Sequence, residues 1–488
     1  MSEARPFSDL LPPESAYWAR LTLRDRASLA GVGAAIAVGV VADQGLRTGS
    51  VGLGFSLAIG LGGLALVWIG VQRLEPQLYA TFAVVFGAWL TVRASPWLLW
   101  PDLIALLLLL GMAASLSVRG TMLDLGLAEA VARAHGLLHL SAGADFILRP
   151  IVQSRPRVGR ILPIVRGLLI AVPLAVLVAA LLASADPIFA SFVRFNLDFG
   201  QLALDILYVL LAALAMAGLL RIAAAEPLLQ VDGPVWRLGA VEGLVVLAVL
   251  DAVFAGFAVA QAIGASGAGG ETLRAAGVSY ADYARSGFFQ LLWVAGITLV
   301  ALLVFSRLTG FTGSKARPAF VLLGELAVAL TLLIVFVAFA RLRLYEDAYG
   351  FSMLRLYSHI FAGWIALVFL LFAGELAGLW SRRRWFLGSV LVTTLVALLA
   401  LNLANPEAIV VQLNTDHAKT THKLDTQYLG ELSTDAVPAL LATRTEVDPN
   451  AQSAITSTAC GGQRSYSPNW AAFNWSSAAA AAARRLNC

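Results

Sequence analysis

Residues 241–263 read VEGLVVLAVLDAVFAGFAVAQAI. As an α-helix this stretch is roughly 35 Å long, enough to cross a hydrocarbon layer about 30 Å thick. A backbone in lipid must satisfy its own N–H and C=O groups, so only helices and closed barrels span a bilayer. Barrel strands show about ten residues of strict apolar–polar alternation, and that pattern is absent here. The stretch therefore reads as a membrane-spanning helix.

Similar apolar runs occur on both sides of it, at 28–44, 51–71, 78–93, 99–118, 163–183, 202–221, 288–306, 320–340, 351–374 and 386–403. With 241–263 they make eleven expected spans in a chain of 488 residues, of which only 13% are charged and whose mean hydropathy is +0.79. The fold class is all-α, a polytopic transmembrane helix bundle. The third span is short and interrupted, and Pro101 with Asp102 either begins the fourth span or marks a turn before it. Three regions follow: an N-terminal segment at 1–27, a membrane domain at 28–403, and a small polar C-terminal tail at 404–488.

The net charge of +4 would suit a nucleic-acid partner in a soluble protein. Here the basic residues follow the loops instead. With the N-terminus in the cytoplasm, 20 of the 34 lysines and arginines fall in inner segments, among them Arg20, Arg24, Arg26 and the run Arg382–Arg384. Positive loops stay inside, so the N-terminus is expected to be cytoplasmic and the tail extracytoplasmic. The expected partners are the lipid bilayer and an envelope protein, with no nucleic acid. The charged start of the chain lacks a cleavable signal peptide, and the first span is expected to act as an uncleaved anchor. Five histidines and two tail cysteines argue against a haem, cluster or cysteine-based zinc site, so no cofactor and no metal are expected.

Ionisable residues within spans are expensive in lipid and mark candidate sites. Asp251 stands near the middle of its span. Asp205, Arg355 and His359 lie nearer the outer face, and with Asp251 they form a candidate intramembrane polar site. Arg341, Tyr345, Glu346 and Tyr349, between the ninth and tenth spans, read as an outer clamp. Glu346 or Asp347 is expected to pair there with Arg341, Arg343 or Arg355, with Gly350 making a tight entry and Ser352 a cap. Tyr280, Asp282, Tyr283 and Arg285 mark an interfacial motif in the outer connection 264–287. The inner connection near 119–162 suits an amphipathic helix, and its His135–His139 pair lacks the carboxylates or cysteines of a metal site. From Val447 onward the tail reads as loop or disorder. On the exported side Cys460 and Cys488 could form a disulfide, with two unpaired thiols as the alternative.

Three stretches also carry a family resemblance. YEDAYGFSMLRLY at 345–357, YADYARSGFFQ at 280–290 and LDTQYLGELSTDAVPAL at 424–440 are similar to hallmarks of an uncharacterised bacterial multipass family, the domain-of-unknown-function 4153/4173 group. The resemblance covers residues 150–445. It implies an inner-membrane protein and supplies no catalytic residue, cofactor or reaction.

Nucleotide-binding, zinc-protease and serine-hydrolase signatures are absent from the sequence. No catalytic residue is assigned, and an enzyme is the less favoured class. The leading expectation is a bacterial inner-membrane accessory protein that senses or scaffolds an envelope process. A transporter or channel for an ion or small polar solute is the alternative, and an intramembrane enzyme ranks below it.

Overall fold

The computed structural model describes residues 27–70, 73–117, 121–122, 143–153, 199–224, 238–265, 287–311, 316–379, 385–462, 466 and 469–488, with isolated positions between 167 and 189. Those residues are helical and contain no β-sheet, only one isolated bridge between Leu238 and Thr309. The helices are α1 (Leu29–Leu46), α2 (Leu53–Ala65, continued by a π-turn at Leu66–Gly70), α3 (Leu74–Val92), α4 (Pro96–Ser115) and α5 (Gly143–Gln153). They continue with α6 (Phe199–Ala223), α7 (Ala240–Ala265), α8 (Phe288–Leu308), α9 (Ala316–Tyr349), α10 (Met353–Leu376) and α11 (Trp385–Ala404). The tail adds α12 (Pro406–Thr421), α13 (Thr426–Gly430), α14 (Val437–Thr443), α15 (Pro449–Cys460) and α16 (Trp475–Asn487).

Eight of the described helices are long and apolar enough to cross a membrane: α1, α4, α6, α7, α8, α9, α10 and α11. Two more expected spans are present as helices that fall short of that standard. Apolar α2 is shorter, and α3 carries Glu75 in its first turn. The expected span 163–183 lies mostly outside the described residues, as do most of the 119–162 connection, with His135 and His139, and the whole motif Tyr280, Asp282, Tyr283 and Arg285. Side-chain distribution supports a lipid setting. On α4, Ile104, Leu107 and Leu108 are exposed while Asp102 is fully buried, and on α7 Val249 and Val253 face outward while Asp251 is inside. Water would favour the reverse arrangement, and so large an exposed apolar surface suits a bilayer.

Two membrane cores share one helix. α1 to α4 and α6 pack around Ala35, Phe86, Leu90 and Leu109, with Phe146 of α5 beside them. Gly39 brings α1 and α6 close, since a Cβ there would stand 2.6 Å from the Val209 carbonyl oxygen. α7 to α10 pack around Phe254, Leu292, Val335 and Phe369. α11 joins the two, with Leu398 in the first core and Phe386 in the second.

The link expected at 341–350 is helical. α9 runs unbroken for 34 residues, roughly 51 Å, and stops at Gly350, whose φ is +75°. Backbone hydrogen bonding has no reason to stop where the apolar sequence does, so the charged end of α9 projects beyond the apolar layer. Pro101 does not break α4 either. Its missing N–H leaves the Trp97 carbonyl without its usual helical donor, and the Tyr357 hydroxyl from α10 donates to that oxygen at 3.0 Å.

The tail differs from the loop or disorder expected after Val447. α15 and α16 are regular helices. Asp448 accepts from the Asn450 and Ala451 N–H groups ahead of Pro449 at the first helical position, and Asn474 accepts from Ser477 N–H ahead of an alanine run. Those caps and that alanine content outweigh the Ser, Thr and Gly residues that suggested loop. The tail has its own core of Val411, Leu429, Leu440, Leu441, Ile455 and Ala480.

Candidate functional site

The residues expected to form one intramembrane polar site have separate partners. Asp205 of α6 meets Arg47 at 2.5 Å, and Arg47 also pairs with Asp43 of α1 at 2.9 Å. The guanidinium thus ties α1 to α6. The Asp43 hydrogen bond raises the Arg47 pKa above its ordinary value. Asp251 lies among the α7 to α10 core residues, 5% exposed, and among the described residues neither carboxylate oxygen has a hydrogen-bond partner. The Arg355 guanidinium donates to the Tyr349 and Gly350 carbonyls and covers the Tyr345 ring at 4.2 Å. His359 Nδ1 lies 3.2 Å from Glu346 Oε1, with its ring edge-on to Phe339.

The outer-clamp residues do meet, through contacts other than those expected. Glu346 faces His359, while Arg343 stacks over Phe339 and Arg341 donates to Gln261 at 3.4 Å. Tyr345 and Tyr349 pack ring to ring with centroids 5.0 Å apart. One helical turn along α9 separates Phe339 from Arg343 and Tyr345 from Tyr349, while Glu346 reaches α10, Arg341 reaches α7 and Arg355 closes the C-terminus of α9. Ser352 caps α10 by accepting from Arg355 N–H.

A denser polar arrangement lies between the tail and the membrane helices. The turn Arg93-Ala94-Ser95 joins α3 to α4, and the first backbone donors of α4 face the tail. Asp435 Oδ2 accepts from Ala94 N–H at 3.0 Å and Ser95 N–H at 2.8 Å. A carboxylate at a helix N-terminus satisfies orphan donors and complements the helix dipole. Arg93 lies 4.0 Å from the other Asp435 oxygen and donates to the Asn402 and Leu403 carbonyls at the end of α11. One arginine thereby closes a helix C-terminus and faces the tail carboxylate.

Two further tail residues bind the turn between α9 and α10. Asn414 accepts from Phe351 N–H at 2.9 Å and donates to the Phe351 carbonyl at 2.8 Å. The Tyr428 hydroxyl accepts from Met353 N–H at 2.6 Å, at the first residue of α10. Gly350 makes the close approach possible, since a Cβ there would stand 2.8 Å from Asn414 Oδ1. At the α3 end, Asn474 donates to the Arg93 carbonyl at 2.9 Å, and the Phe473 carbonyl accepts from Leu53 N–H at 2.9 Å. The tail therefore binds the starts of α2, α4 and α10 and the end of α3.

Three acids are buried around this junction. Asp102 is bonded to Asn402 Nδ2 at 2.7 Å, Glu407 accepts from the N–H and hydroxyl of Ser433 at 2.8 and 2.7 Å, and Asp435 holds α4. Burial pushes the Glu407 pKa above its ordinary value and the Asp435 charge adds to the rise, while hydrogen bonds from Ser95 and Ser433 oppose it. Burial also raises the Tyr428 pKa. These oxygens and N–H groups are mostly occupied in holding the tail. Such an arrangement positions one structural unit on another. Among the described residues no group of three His, Cys, Asp or Glu side chains could hold a metal ion.

Cys460 and Cys488 are joined in a disulfide that fastens the end of α16 to α15. Sequence reasoning placed Tyr428 and Asp435 in a family-like stretch without a role for either. It assigned nothing to Arg93, Asn402, Glu407, Asn414 or Asn474. Their partners are remote in sequence, 340 residues away for the Asp435–Ser95 bond, so no local pattern reveals them.

The family described as "Domain of unknown function (DUF4153)" matches residues 80–443. The match starts well before residue 150 and takes in the α3–α4 turn, so Arg93, Asp102, Asn402, Glu407, Asn414, Tyr428 and Asp435 all lie inside it. The disulfide, Phe473 and Asn474 lie beyond it. No curated protein and no solved structure matches the chain.

Proposed function

The chain belongs to the DUF4153 family, and on that premise we propose that it is a bacterial inner-membrane accessory protein that scaffolds or senses an envelope process. The multipass bundle anchors a folded, disulfide-closed tail, and the tail is the part offered to a partner. The observation that carries this reading is the junction itself. Asp435, Tyr428 and Asn414 bind backbone groups at the starts of two membrane helices, so any force on the tail reaches the bundle directly. The tail is assigned to the extracytoplasmic side. The distribution of basic residues supports that assignment, and a disulfide persists best in an oxidising compartment. Enzymatic activity is not part of the proposal.

The test is site-specific crosslinking from exposed tail positions in native membranes. A discrete envelope partner, lost when Asp435→Ala loosens the tail, is the expected result. Recovery of no specific partner from intact membranes would count against the accessory role. Asp251 favours conduction as a second reading, because it is a buried carboxylate whose two oxygens have no hydrogen-bond partner among the described residues. Solute flux in proteoliposomes that Asp251→Asn abolishes would replace the first reading with the second.

A further inference from the structure

The tail leaves two of its largest apolar side chains on the surface. Trp470 is 48% exposed and Trp475 63% exposed. They flank the segment that fixes the tail against α2 and α3. Trp470 begins a short 3-10 turn at Trp470–Ala472, and Trp475 is the first residue of α16.

The position of that segment is tightly determined. The Phe473 carbonyl accepts from Leu53 N–H at the first residue of α2, and Asn474, itself buried, donates to the Arg93 carbonyl just past α3. The Tyr466 hydroxyl donates to the Ala472 carbonyl at 3.1 Å and accepts from Asn474 N–H at 2.8 Å. Gly52 and Gly54 face this backbone so closely that a Cβ on Gly52 would stand 2.8 Å from the Phe473 carbonyl oxygen. The two indoles therefore lie at the level where α2 begins and α3 ends.

Both helices present exposed apolar stripes along their length. Leu57, Leu61 and Leu64 form one on α2, and Leu74, Leu78, Phe82 and Val85 form one on α3. Their spacing of three or four residues keeps each stripe on one helix face, which in a bilayer is the face toward lipid. Trp89 stands in the last turn of α3, and its ring carries the Arg93 guanidinium at 5.7 Å. At the same end of the bundle Trp97 and Trp100 are exposed at the start of α4. Indoles favour the layer between headgroups and acyl chains, where an apolar ring and a polar N–H are both accommodated.

We infer that Trp470 and Trp475 insert into the headgroup–acyl boundary of the adjoining leaflet, so that the tail is seated on lipid as well as on the bundle. The occupant of this surface is the bilayer itself. The inference rests on the bundle standing in a membrane and does not depend on which side carries the tail.

The test uses the full chain in phosphatidylcholine vesicles, plain or brominated either near the top of the acyl chains or near their ends. The emission of Trp470→Phe/Trp475→Phe is subtracted from that of the unmodified protein, which isolates the two indoles. The isolated emission should lose most of its intensity to shallow bromine, less to deep bromine, and little to aqueous iodide. Emission untouched by bromine overturns the inference, whether iodide quenches it, as for a solvent-facing tail, or leaves it intact, as for a protein contact. Retention of the Cys460–Cys488 disulfide and of protease resistance reports that the double variant is folded. If it is not, the single variants Trp470→Phe and Trp475→Phe supply the same difference one ring at a time.

Discussion

Replacing Asp435 with alanine removes the acceptor of two backbone N–H groups at the start of α4. Ser95 is fully buried, so its N–H gains no water in exchange, whereas Ala94 is only half-buried. A buried donor left unsatisfied costs about 1–3 kcal/mol, and a partly exposed one less, so the pair together should weaken tail docking by roughly 2–4 kcal/mol. At 1.4 kcal/mol per tenfold, the undocked fraction rises roughly 30- to 1,000-fold. Hydrogen exchange read by mass spectrometry on the full chain in nanodiscs measures this at both partners, in peptides covering the α3–α4 turn and residues 430–443. Asp435→Asn keeps a carbonyl oxygen for the same donors and loses only the charge, so it should forfeit about 1 kcal/mol of helix-dipole interaction. If Asp435→Ala leaves exchange at the start of α4 and tail protease resistance unchanged, Asp435 does not hold the tail and the junction has been misread.

Tyr357→Phe removes the hydroxyl that donates to the Trp97 carbonyl opposite Pro101, and should lower bundle stability by about 1–2 kcal/mol in thermal unfolding; unchanged stability would mean that α4 accommodates its proline without help. Opening the Cys460–Cys488 disulfide, which spans 28 residues, should destabilise the tail by roughly 3–4 kcal/mol on chain-entropy grounds. Reductant should then expose α16 to protease while the membrane helices keep their helicity. Because the folded pKa of Glu407 is raised above its usual 4.5, its contribution to tail stability is fully present below about pH 4.5 and is lost as pH rises through the folded value. Tail protection, with the intrinsic pH dependence of amide exchange divided out, should therefore rise on acidification from neutral pH, and Glu407→Gln should flatten that rise; a Glu407 response of opposite sign contradicts the assignment. Asp251→Leu removes a buried carboxylate with no bonded partner among the described residues, and should leave thermal stability equal or higher, whereas a marked loss would reveal a partner for Asp251.

The membrane helices were legible because one physical demand, a run of apolar residues long enough for the hydrocarbon layer, leaves a direct trace in sequence. Helix ends were less so. The apolar run of α9 stops before Arg341, yet the helix continues to Tyr349 because its termination depends on Gly350 adopting φ +75° and not on hydropathy. The tail helices are signalled by the caps Asp448-Pro449 and Asn474, but the Ser, Thr and Gly residues around them are equally the composition of a loop. The junction was nearly illegible. Asp435 resembles any surface acid until the fold brings it to the start of α4, and Asn402 is a lone polar residue near the end of an apolar helix until it meets Asp102.

Burial alone did not separate the polar groups of this protein; hydrogen bonding did. Asp435, Glu407 and Asp102 are as deeply buried as Asp251, yet each has a named donor, and each bond joins elements far apart in the chain. Removing one of them leaves another polar group stranded, the signature of a part that holds two others together. Among the described residues Asp251 has no such donor, and keeping it in the core of α7 to α10 costs desolvation. The two kinds of buried acid therefore stand in different places: Asp435, Glu407 and Asp102 bond around the tail junction, and Asp251 stands in the core of α7 to α10 with no bonded donor among the described residues. Asp205 belongs to neither place, because Arg47 pairs with it between α1 and α6.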